Sequence, residues 1–257
     1  MKTVCKIIPQ KVQNKTCSAI AGMCIVNNDI YVLASKSGDG VTKQPCVLHK
    51  YFNYLDTDNG VYDYSVIRTA KGSKSIAVHA NSITYSNHLF YIVTRNGRNE
   101  NQIMVLTSDG IIQKKYKYTK SMIATINHFE VNKFLISVNG GLSIKYRLVE
   151  IGDTIKDLGI EFRCLIPDVD YGTGNDSYYD KKDKRLYITK FKNKTENKIF
   201  VYDLKNIVNG KNYNSEKEIY VKSEEKFEVE GIGLYNKIVG CVNATEDGKQ
   251  ADKVVII

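Results

Sequence analysis

Apolar and polar positions in this chain alternate, or the apolar ones run together briefly, and almost nowhere do they recur at helical spacing. Runs rich in Val, Ile, Tyr and Phe are separated by clusters of Gly, Asn, Asp and Ser, the pattern of many antiparallel strands joined by turns. The clearest unit is His79, Ala80, Asn81, Ser82, Ile83, Thr84 and Tyr85, then a polar turn at Ser86, Asn87 and His88, then an apolar strand beginning Leu89, Phe90, Tyr91, Ile92. Versions of it return at residues 21–25, 127–131, 175–179 and 230–234, each followed by its own turn and apolar strand.

Aligning the five units on the last residue of the leading strand gives Ile25, Tyr85, Val131, Tyr179 and Leu234, spaced 60, 46, 48 and 55 residues apart. That is close to the ~40–50 residues of a four-stranded propeller blade. Each unit predicts the same internal order. The first continues through strands at 30–33 and 46–52. The second runs through 89–94 and 102–107, with Asp109 and Gly110 turning the chain into an outer strand at 111–118. The third takes 134–138, 144–151 and 160–166, and the fourth 185–191, 198–204 and 217–222. The fifth has only 237–242 and 253–257 before the sequence stops, and residues 3–8 have the character of its missing outer strand.

The expected fold is therefore all-β, a five-bladed β-propeller in one domain over 1–257, with the N-terminal strand closing the last blade. An irregular β-sandwich of equal strand count is the competing architecture, but it does not require five similar units.

Composition narrows the class without changing this picture. Hydrophobic residues make up 42% and charged ones 25%, ordinary for a soluble globular protein. No apolar run is long enough to span a membrane, and the N-terminus lacks the sustained apolar core of a secretory signal, so a cytoplasmic location is expected. The net charge of +9 raises nucleic acid as a partner. Its lysines, however, are scattered through turns among acids, and the densest group (Lys114, Lys115, Lys117) alternates as on a solvated edge strand. Nucleic acid is not the expected partner. The six cysteines form no C-x-x-C pair and have no His at zinc spacing, so they are read as buried reduced thiols.

Candidate chemistry follows from the repeat alignment. Four residues before each alignment position stand Ala21, Asn81, Asn127, Asn175 and Glu230. Apolar packing would not choose amides and a carboxylate there, so these groups either meet a ligand or cap the turn into each inner strand. Loops carrying Arg95 and Lys190 should reach the same face, giving a polar, positively charged mouth suited to a small polar or saccharide ligand, with Tyr178 and His128 as stacking surface. Catalytic candidates are His79 as acid–base group and Glu230 with Asp176 as paired carboxylates. No cofactor is required. Asp168, Asp170, Asn175 and Asp176 make a carboxylate cluster that calcium would suit, but they lack the order of an EF-hand loop.

The unit around His79, with its partner Gly174, Asn175, Asp176, Ser177, Tyr178, Tyr179 and the following Leu186, Tyr187, Ile188, resembles bacterial propeller repeats of the helveticin-J-like kind. The resemblance implies a propeller that binds a surface glycan or another small ligand, and it carries over no catalytic residues. The leading expectation is thus a non-enzymatic binding protein for a polar or saccharide ligand. A propeller hydrolase or lyase acting on a glycan or anionic substrate, and a protein-interaction platform, are the alternatives.

Overall fold

A computed structural model describes residues 1–36, 45–57, 59–71, 79–95, 101–138, 143–167, 176–193, 196–222, 226–246 and 249–257. It is an all-β ring of five small antiparallel sheets, a five-bladed β-propeller. The first blade contains Lys15–Val26, Asp29–Lys36, Cys46–Phe52 and Val61–Val66, with a short strand, Gln10–Val12, flanking the start of the first of these. The second is His79–Ser86, Leu89–Arg95, Asn101–Leu106 and Ile112–Tyr118. The third is Ile123–Glu130, Lys133–Val138, Ser143–Ile151 and Ile155–Leu165, with Asn212–Tyr213 pairing in parallel on its outer edge. The fourth is Ser177–Asp180, Arg185–Asn193, Glu196–Asp203 and Lys217–Lys222. The fifth is Lys226–Tyr235, Lys237–Glu246, Lys253–Ile256 and the N-terminal strand Lys2–Lys6, which lies antiparallel on Lys253–Ile256 as the outermost strand of the sheet. The first strand of each blade packs against the first strands of both neighbours, which closes the ring and removes the sandwich alternative.

The turns between first and second strands explain the recurring asparagines. Asn27, Asn87, Asn132 and Asn236 all adopt positive φ, between 50° and 60°. Apart from glycine, asparagine reaches that region at the least steric cost.

Each blade is buried on both faces, so its middle strands are apolar at consecutive positions. Strand geometry sends successive side chains to opposite faces, and here opposite faces belong to different blade junctions. In Leu89–Arg95, Ile92 joins a core with Leu33 and Leu48 of the first blade, whereas Tyr91 and Val93 join one with Phe134 and Ile136 of the third. The same division gives a core at each of the five junctions. All six cysteines are free and buried, and burial pushes their thiols up.

One alignment position is corrected. Val131 is not the end of an inner strand. Ile123–Glu130 stops one residue earlier, and Val131 lies in the turn, 74% exposed. The ladder skips a residue between His128 and Glu130, so Phe129 is an extra residue that displaces any count along the sequence. Asn127 is therefore not the counterpart of Asn81.

Candidate functional site

Among the described residues, four inner strands carry a β-bulge near their start. The ladder passes from Ile20 to Gly22, from Ala80 to Ser82, from Ile123 to Thr125 and from Val229 to Gly231, leaving Ala21, Asn81, Ala124 and Glu230 unpaired. A bulge turns its extra residue out of the ladder. All four are partly exposed, whereas the next residue in each strand, Gly22, Ser82, Thr125 or Gly231, is buried. Asp176 takes the equivalent place in the fourth blade, where its carbonyl accepts from the Thr189 amide at 3.1 Å.

The buried level is knitted together by side chains that cross between blades. Ser82 Oγ donates to Asp176 Oδ1 at 2.9 Å and accepts from the Ile126 amide at 3.2 Å. Thr125 Oγ1 lies 2.7 Å from Ser177 Oγ. Asn127 donates to Ser177 Oγ at 2.8 Å and accepts from the Tyr179 amide at 3.0 Å, so both its amide atoms are engaged between the third and fourth blades. Backbones touch here as well: a Cβ on Gly231 would sit 2.5 Å from the Met23 nitrogen, and one on Gly22 would sit 3.0 Å from Ser82 Cα. Burial drives the Asp176 carboxyl well above the ordinary range, although the Ser177, Met23 and Ile232 amides and the Ser82 hydroxyl pull it back. Among the described residues its Oδ2 has no hydrogen-bond partner.

Above this level, at the end where the inner strands begin, lie Glu230, Asn81, Asn243, Asp252 and Lys190. Burial raises the Glu230 carboxyl well above its usual range. The charges of Glu228, Asp252 and Asp176 raise it further, and a hydrogen bond from Asn243 opposes them. Asp252 is raised to about 6 by burial against its bonds from Gln250 Nε2 (2.7 Å) and the Ala244 amide (3.2 Å). Lys190 is buried and lowered to about 8. His79 and Arg95 face each other across the ladder at this end. Asn175, Asp168 and Asp170 lie outside the described residues. Among the described residues no group of three or more His, Cys, Asp or Glu is placed to hold a metal ion.

The structure thus separates what the sequence grouped together. Glu230, Asn81, Lys190, His79 and Arg95 belong to the starting end of the axis, and Asp176 lies sealed beneath them. Asn127, Tyr178 and His128 line a pocket at the opposite, turn end. Asp252 was missed because nothing in its local sequence marks it, and it joins Glu230 only when the last two strands pair. Among the described residues no helix is long and apolar enough to cross a membrane.

A hydroxyl–imidazole pair at the turn end, Ser86 Oγ and His128 Nε2 at 3.0 Å, is not an activated nucleophile. Lys181 Nζ stands 3.2 Å from His128 Nδ1. An ammonium only donates, so Nδ1 is the acceptor, the ring proton is on Nε2, and the serine receives a hydrogen bond rather than giving up its proton.

No protein-family model matches the chain, and no curated protein matches it. The helveticin-J-like resemblance therefore rests on the residues quoted for it. Solved structures do share the fold. A GH43_1 enzyme from Xanthomonas citri is 8% identical over 97% of this chain and 90% of its own, with a TM-score of 0.56. A GH43 endo-arabinanase from Bacillus licheniformis is 13% identical over 98% and 96%, with a TM-score of 0.51. A Trypanosoma rangeli sialidase is 7% identical over 98% of this chain and 58% of its own, with a TM-score of 0.53. At such identities the likeness establishes the propeller fold and nothing finer.

Proposed function

We propose that this propeller acts on a glycan at the end of the axis where the inner strands begin, with Glu230 as the proton donor. The observation that carries this reading is the bulge: it holds Glu230 partly exposed at the axis while burial and neighbouring carboxylates keep its proton on. Glycoside cleavage needs such a carboxylic acid to protonate the leaving oxygen. Asp176, closed in beneath and kept protonated by burial, does not touch substrate, and His79 at the same end would take the proton of the water that replaces the leaving oxygen. Asn81, Asn175, Arg95 and Lys190 would bind sugar hydroxyls or an acidic substituent. The names of the neighbours support the choice of a glycan, being those of an arabinanase and a sialidase among others.

A second reading is non-enzymatic saccharide binding at the same end. It is favoured by Ala21 and Ala124, which leave Glu230 as the one carboxylate among the four bulge residues. One experiment separates them. A panel of oligosaccharides is tested for binding by calorimetry and for cleavage by reducing-end release, with wild type and Glu230→Gln. Cleavage lost by about 10²-fold or more in the variant, with binding kept, is expected of the hydrolase. Binding without cleavage by the wild type leaves the second reading standing, and the absence of both removes the glycan.

A further inference from the structure

The turn end of the axis holds a pocket of about 230 Å³ that the reading above does not use. It is bounded by the last residues of four inner strands, among them Ile25, Tyr85, Asn127, His128 and Tyr178, with Lys181 from the turn that follows. Its walls mix aromatic and aliphatic side chains with polar ones such as Thr84 and Ser177, and its charge is unbalanced. Lys181 Nζ rests on His128 Nδ1, a neutral acceptor, and among the described residues no carboxylate pairs with it. The acids nearby in the chain are engaged elsewhere: Glu130 by Lys133 at 3.0 Å, and Asp180 Oδ1 by the Lys182 amide at 3.0 Å. Asn127 is buried, with its Nδ2 donating to Ser177 Oγ and its Oδ1 accepting from the Tyr179 amide, so it shapes the wall and is not the group that holds the charge.

A cation resting on an imidazole at the mouth of a tyrosine-lined pocket is a site for an anion with a flat body. The anion gives Lys181 the charged partner it lacks, and such charge-assisted bonds are about twice as strong as neutral ones. Tyr85 and Tyr178 offer the faces and edges that ring systems pack against. The volume falls below the ~300–1,000 Å³ of drug-sized pockets, which limits the guest to one ring and its substituent. We propose that this pocket binds a small organic anion, a carboxylate or phosphate on a single ring, with the charge on Lys181 and the ring against Tyr85 and Tyr178.

The test is calorimetry on the intact chain with benzoate and phenyl phosphate, and with benzyl alcohol as the neutral probe. Both anions should bind more tightly than the alcohol. Lys181→Met should weaken them by about tenfold or more, and Lys181→Arg should keep most of the affinity. Lys181 is exposed, so neither variant should change the melting temperature appreciably. Glu230→Gln, altered at the far end of the axis, should bind as the wild type does. Equal affinity for alcohol and anions, unchanged binding in Lys181→Met, or loss of binding in Glu230→Gln would each overturn the assignment. None of these outcomes bears on whether the other end cleaves a glycan.

Discussion

His49 and Asp252 are both buried and titratable, and burial acts on them in opposite senses. His49, bonded through Nδ1 to the Tyr62 hydroxyl at 2.9 Å, is lowered from 6.5 to about 4. The unfolded chain therefore binds its proton more tightly, and stability rises with pH between about 4 and 6.5. Asp252 is raised from 3.8 to about 6, so its contribution is complete below its unfolded value and is lost as pH climbs through the folded one. Each shift corresponds to about 3 kcal/mol at about 1.4 kcal/mol per unit, and over this window the two nearly cancel. Asp176 and Glu230, raised by burial, go on losing stability at higher pH. That loss begins at their unfolded values, near pH 4, so urea denaturation should show stability declining as pH rises from 4 through neutrality. Asp252→Asn removes one falling contribution, so its stability relative to the wild type should rise by about 3 kcal/mol from pH 4 to 6.5. A variant profile parallel to the wild type would show that Asp252 titrates normally.

At the scale of the strand, what was legible depended on whether a residue's role is local. The turn asparagines could be read because positive φ is a property of the residue itself, and the apolar strands because each blade buries both faces. Closure by residues 3–8 followed from counting strands. The bulges were hidden, since a skipped residue is a fact about pairing with a distant strand. Phe129 shifts the third repeat by one residue, and taking the turn residue Val131 as the strand's end shifts it further, which put Asn127 in line with Asn81 where Ala124 stands. Asn81 and Glu230 stand at bulges as the repeat placed them, but Asn127 does not, and the buried level beneath was not foreseen: Ser82, Thr125 and Asp176 bond across blades, a role that neither turn-capping nor ligand contact describes. Gly231 shows how tightly the inner strands approach one another. Adding a methyl there drives it to 2.5 Å from the Met23 backbone nitrogen and 2.9 Å from Cys241 Sγ. Backbone cannot yield as a flexible side chain does, so Gly231→Ala should cost about 2–3 kcal/mol in urea denaturation. Gly152→Ala, with nothing within 4 Å of the added carbon, is the control and should stay within about 0.5 kcal/mol. Similar midpoints for the two would mean that the inner strands can slide apart.

For the whole molecule, the seam between the first and last blades carries both ends of the chain. Lys2–Lys6 is the outer strand of a sheet whose other members are all C-terminal, and Cys5 and Ile7 are buried in the core shared by those two blades. The Ile7 amide donates to the Asp252 carbonyl at 2.8 Å, tying the start of the chain to the segment that supports Glu230. Removing residues 1–7 gives up two buried side chains at about 1.5–3 kcal/mol each. It also leaves the apolar strand Lys253–Ile256 as a bare edge, a template for pairing with another chain. A loss of about 3–6 kcal/mol is a large part of the ~5–15 kcal/mol that holds a domain folded. The shortened chain should unfold at markedly lower urea and associate in sedimentation. A peptide of residues 1–7 added in trans should restore both properties, and a scrambled peptide should restore neither. If the shortened chain kept its midpoint and stayed monomeric, the ring would be held by its inner strands alone, and the N-terminal strand would be a cover rather than a clasp.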